Sequence, residues 1–164
     1  MPSTIAPLQS VTAFGSDEVY IHRGLAYVAF VKATVNTGVT VDVLLTVPAN
    51  LHVHAQPVFF ADSLADVVIL EGVTFVSGGS DFTPVNRNRN SPLVSAVTAK
   101  VGTLSVTGGT TIWQEHLGTS KNSGGAAVTE FEWDLKFSAA TLFRITSAAN
   151  SNIITLAVPW NEPP

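Results

Sequence analysis

Along most of this chain, apolar and polar residues alternate with a period of two. In VTVDVLLTV (39–47), Val39, Val41, Val43, Leu45 and Val47 fall on one side, and Thr40, Asp42 and Thr46 on the other. In EFEWDLKF (130–137), Phe131, Trp133, Leu135 and Phe137 oppose Glu130, Glu132, Asp134 and Lys136. Successive side chains of a strand point to opposite faces, so this pattern predicts half-buried antiparallel strands. Further strands are predicted at 19–23, 25–33, 51–59, 66–76, 94–101, 103–107, 110–117, 141–147 and 153–159. Turn chemistry separates them at Gly24, NTG (36–38), SGG (77–79), Gly108-Gly109 and NSN (150–152). Within TLSVTGGTTIWQ the paired glycines predict a two-residue hairpin loop, which needs positive φ. No stretch of ten residues shows helical spacing, and FSAAT (137–141) is read as a single turn.

About nine or ten short strands with regular turn signals predict an all-β fold, an antiparallel β-sandwich of jelly-roll type. An immunoglobulin-like sandwich is the second architecture considered. Residues 1–16 lack clean alternation and are expected to form an irregular N-terminal arm ahead of one domain at 17–164. GTSKNSGGAA (118–127) is expected to be a mobile Gly/Ser-rich loop.

Composition sharpens this picture. Charged residues make up only 12% of 164 residues, about half the usual ~25%. A surface with so few charges fits one that other subunits cover, although a Ser/Thr-rich face on an isolated domain has the same composition. No run approaches the ~18 apolar residues that cross a bilayer. MPSTIAPLQS has neither basic nor apolar secretory character, so synthesis in the cytoplasm is expected. Without cysteine, disulfides and thiolate metal ligands are excluded. The net charge of −4 is scattered, with no basic stripe interleaved with aromatics for nucleic acid.

Candidate chemistry is sparse. His52 and His54 share one strand face, but a metal site needs further ligands that nothing in the sequence brings near. Glu130 and Glu132 have the form of paired carboxylates for work on a sugar, yet a solvated strand face accounts for both. Trp113, Trp133 and Trp160 invite a carbohydrate platform, with Trp133 alternating inward. No nucleophile, phosphate loop or acid–base set is recognisable, so neither an enzyme nor a cofactor is expected.

NRNRNSP (86–92) is the exception in a chain that avoids charge. Flanking prolines predict an extended segment, in which Arg87 and Arg89 project to one side about 7 Å apart at ~3.3 Å per residue. Asn86, Asn88 and Asn90 then face away or cap turns. Two guanidinium forks on one side each suit a carboxylate. Their partners are either acids of another subunit, with Asn86, Arg87, Asn88 and Arg89 as the contact, or the chain's own Glu71, Glu130 or Glu132.

LEGVTF (70–75), FTPVNRNRNS (82–91), HLGTSKNSGG (116–125), FEWDLK (131–136) and TLFRITSAAN (141–150), in that order, resemble a family of small tailed-phage proteins, the capsid decoration or cement proteins. The resemblance spans roughly residues 50–160. It implies a β-sandwich that assembles with copies of itself, as a trimer, on the outer surface of the phage head. Its partner there is the major capsid protein, which it stabilises. A tail or baseplate component and a carbohydrate-binding module for host adhesion are the alternatives.

Overall fold

In the computed structural model, which describes residues 16–118, 126–128 and 132–164, the alternation resolves into two packed antiparallel sheets. A short helix, α1 (Ser16–Arg23), leads into β1 (Ala26–Val35) and β2 (Thr40–Thr46). Then come β3 (His54–Ala55), β4 (Val58–Ala61), β5 (Ala65–Phe82), β6 (Val85–Asn86) and β7 (Thr98–Leu117). The chain ends through β8 (Ala126–Val128), β9 (Trp133–Asp134), β10 (Ala140–Ser147) and β11 (Asn152–Asn161).

The first sheet runs β6–β1–β11, then β3 and β4 side by side along β11, then β9 and β8 beyond them. β3 and β4 keep one register against β11, so they are one strand interrupted at Gln56-Pro57. β8 and β9 likewise line one edge of that strand. The second sheet runs β2–β10–β5–β7. Counted with those mergers and without the two-residue β6, the strands among the described residues number eight. Their spatial orders are first–eighth–third–sixth and second–seventh–fourth–fifth, the double Greek key of a jelly roll. The inner faces meet as alternation requires. Val43, Leu45, Ile69, Phe143 and Ile145 of the second sheet pack against Tyr27, Phe59, Ile154, Leu156 and Trp160 of the first.

The second sheet departs from the expected plan because β5 and β7 are far longer than their neighbours. They pair from Ala65↔Leu117 to Phe82↔Ala99, and the first residues of β7 also pair with β2. The ribbon thereby curls over the outer face of β2 and β10 and closes a small four-stranded barrel. Leu44, Val73, Leu104 and Leu142 form a second core inside it. Three register shifts bend the ribbon, near Ile69/Leu70, Phe75/Ser77 and Gly78/Ser80.

The curl corrects several expectations. Residues 94–101, 103–107 and 110–117 are not three strands, since 98–117 form the single strand β7. Gly108-Gly109 is not a hairpin loop; it lies mid-strand, with Gly109 at φ 93° and opposite the Gly72 region of β5. SGG (77–79) likewise lies inside β5. Glycine in a strand marks a bulge or tight bend as readily as a turn, and here long-range pairing selects the bend. Asp42 and Leu44 do not face solvent, because the ribbon covers that side. Residues 19–23 are helical rather than extended: acids precede VYI, and His22 and Arg23 occupy the last turn, which suits the helix dipole. The turns at 36–38, 137–138 and 150–151 stand where expected. Of the N-terminal arm, residues 1–15 lie outside the described residues, as do Glu130, Phe131 and most of the 118–127 loop.

Candidate interaction surface

The NRNRNSP stretch sits in the fifteen-residue connection 83–97 between β5 and β7. It is not extended after Asn86. Residues 87–90 bend and turn, because Asn86 and Asn88 each close a local loop. The Oδ1 of Asn86 accepts from the Asn88 amide at 2.9 Å, and that of Asn88 accepts from the Asn90 amide at 3.1 Å. Such Asx turns compete well with an extended backbone.

The asparagines also tie the connection to the rest of the fold. Asn86 is buried and donates Nδ2 to the carbonyls of Gly24 (2.9 Å) and Leu93 (3.0 Å). Asn88 Nδ2 donates to the His22 carbonyl at 3.2 Å, and the Arg87 amide to that of Ala26 at 2.8 Å. What they grip is the end of α1. There Leu25 N–H reaches the Tyr20 carbonyl and Gly24 N–H that of Ile21, both at 2.9 Å. This is a Schellman closure around a left-handed Gly24 at φ 74°. A Cβ on Gly24 would stand 2.7 Å from the Cβ of Ser91, so the connection packs directly on this glycine.

Its other end is held by the carboxylate of Glu162, a buried residue. That carboxylate accepts from Ser95 Oγ, from the Ala96 amide (3.2 Å) and from Trp160 Nε1 (2.9 Å). Between the two anchors Val94 is 84% exposed and Leu93 47%. Arg87 and Arg89 are exposed beside them. Arg89 Nη1 lies 3.4 Å from the Asn86 carbonyl, and among the described residues Arg89 makes no ion pair. Of the proposed internal acids, Glu71 lies 3.7 Å from Lys136 and Glu132 2.6 Å from His54. Nearby on β1, Phe30 is 48% exposed and meets Phe82 edge-on with centroids 5.4 Å apart.

The other candidates separate. His52 and His54 do not converge; each faces a carboxylate, Asp134 at 3.8 Å and Glu132 at 2.6 Å. Among the described residues no three ligating side chains gather for a metal. Trp160 is buried in the core, and Trp113 stacks on Phe59 with centroids 5.7 Å apart. A cleft of about 380 Å³ lies at the far end of the β5–β7 ribbon, lined by Asp66, Val68, Gln114, Glu115, His116 and Thr146. In it His116 Nδ1 contacts Asp66 Oδ1.

Sequence reasoning missed three structural anchors. Gly24, read as a turn between strands, carried the local signal of a helix end, a glycine directly after basic residues, whereas Glu162 carried none. The third is an ion pair across the β2–β10 ladder, with its acid buried and its guanidinium partly exposed. Arg144 Nε and Nη2 donate to Asp42 Oδ1 and Oδ2 at 2.7 and 2.9 Å, bidentate. The pair also grips Leu104 of the ribbon, whose amide donates to Asp42 at 2.8 Å and whose carbonyl accepts from Arg144 at 2.7 Å. The Asp42 side chain is wholly enclosed. The chain matches no protein-family model, and comparison with curated proteins and with solved structures returns no match.

Proposed function

We propose that this chain is a non-enzymatic head decoration protein of a tailed bacteriophage. It binds the outer surface of the major capsid lattice and stabilises the shell, as a homo-oligomer and most simply a trimer. The observation that carries this reading is the 83–97 connection, anchored at its two ends by hydrogen bonds to the buried residues Asn86 and Glu162 and displaying Leu93, Val94, Arg87 and Arg89. A loop ordered in advance loses little entropy on docking. Apolar side chains flanked by arginines are the composition of an interface centre. Jelly rolls serve as shell-building domains, and the sequence motifs of the decoration family agree with that use. Fold alone does not assign function, so the loop and the motifs bear the weight.

Mechanically, such a protein bridges neighbouring capsomers. Each contact need be only modest, because repetition over the lattice multiplies the effect. The test is to mix purified protein with bare heads and image them. Saturable occupancy of one class of lattice position over the whole head is expected. Binding at a single vertex, or none, would overturn the proposal.

A further inference from the structure

The first sheet carries apolar side chains on both faces. Alternation turns Tyr27, Phe59, Ile154 and Leu156 into the core, and the residues between them outward. Outward go Phe30 of β1, Ile153, Ala157 and Pro159 of β11, and Val58 and Phe60 of β4. Register sets Phe30 beside Ala157 and Ala157 beside Val58, so an apolar row crosses three strands. Phe30 is 48% exposed and Ile153 38%. Along these strands the outward charges stand at the borders, Lys32 on the outermost long strand and Asp62 just past the end of β4.

The sequence ahead of α1 has a matching character. MPSTIAPLQSVTAFG (1–15) contains no charged side chain, and Ile5, Leu8, Val11 and Phe14 stand three apart. A three-residue period keeps all four on one side of a polyproline II segment, a conformation that Pro2 and Pro7 favour. In a helix turning about 100° per residue, Ile5 and Phe14 would point in opposite directions. We infer that residues 5–14 lie extended across the outer face of their own first sheet, with this apolar stripe against Phe30, Ile153, Ala157 and Phe60. The reach fits. Through Gly24-Leu25, α1 joins the Ala26 end of β1, where that face begins. From Val28 to Thr34 the face is about 20 Å long at ~3.3 Å per residue, and α1 adds about 12 Å. The eleven residues from Ser16 back to Ile5 extend about 34 Å. A second copy is therefore not needed, and a tethered segment meets its site at a far higher effective concentration than a free one. By contrast TSKNSGG (119–125) offers no apolar side chain for this face. The arm so placed covers a surface that otherwise invites association.

The chain has no cysteine, so Gln9→Cys, off the apolar stripe, takes a single nitroxide label. In the free protein the label should broaden the amide resonances of Phe30, Phe60 and Ile153 and leave those of Thr107 and Gln114, in the second sheet, sharp. Adding Leu8→Asp and Val11→Asp to the labelled chain should abolish the broadening while the rest of the amide spectrum keeps its dispersion. Sharp Phe30, Phe60 and Ile153 resonances in the labelled chain, or broadening that survives the two aspartates, overturns the inference. So does broadening of these amides in an isotope-labelled chain without nitroxide when it is mixed with nitroxide-labelled chain, since the arm would then belong to a second copy. Heads take no part in the experiment, and either result leaves the decoration reading to its own test.

Discussion

At the scale of single residues, the most consequential group is Asp42. Strict alternation assigns it to the solvent face, and the structure encloses it with Arg144 and the backbone of Leu104. Asp42→Ala would leave Arg144 and a buried amide without their acceptor. A loss of about 2–3 kcal/mol is expected, measured by denaturant unfolding, since a buried amide loses its acceptor and a partly exposed guanidinium loses charge-assisted hydrogen bonds. Thr141 is the converse case. Its Oγ1 is buried with no hydrogen-bond partner among the described residues, so Thr141→Val should stabilise by about 1 kcal/mol in the same assay. Tyr27 supplies a pH dependence. Burial pushes its hydroxyl above the ordinary 10.0, and the charge of Glu162 adds to the shift. Below that value folded and unfolded chains both keep the proton, and stability does not respond. Above it the unfolded chain releases the proton first, so stability falls as pH rises towards the folded-state value. Unfolding curves from about pH 9 to 11 should slope less steeply for Tyr27→Phe than for wild type.

At the scale of elements, the β5–β7 ribbon decides the character of the second sheet. Its curl requires backbone that side chains resist. Gly109 combines φ 93° with a Cβ position 2.6 Å from Val73 Cγ1. Gly109→Ala should therefore destabilise by more than the ~1 kcal/mol that separates glycine from alanine in unstrained backbone. Amide exchange should rise first in 72–82 and 98–109, which cover the second core, and a uniform rise across both sheets would contradict this. The glycine pairs were legible as places where the chain bends, but whether a bend ends a strand or curves it is invisible locally. The answer came from pairing partners some thirty residues away. The helix α1 had the opposite fate: its acidic start, basic end and following glycine are local signals, outweighed in the reading by a short apolar run.

At the scale of the whole molecule, the anchored connection is expected to govern assembly without governing folding. Val94 is too exposed to contribute to the core, so Val94→Asp should leave the melting temperature within about 1 °C while reducing oligomer mass and occupancy on heads. A matching fall in melting temperature would instead make Val94 a structural residue. Much of the architecture was determined by the sequence alone: an all-β class follows from period-two burial, which is a property of neighbouring residues, and the low charge and paired arginines can be read directly. The tertiary structure alone decided that Asp42 is interior, that Trp160 and Glu162 belong to the core and its edge, and that the asparagines hold the connection while the arginines stay outside. Burial on the second face of a sheet depends on what folds over it, and the trace it leaves, Leu44 and Leu142 apolar where strict alternation calls for polar residues, does not name the distant segment that covers them.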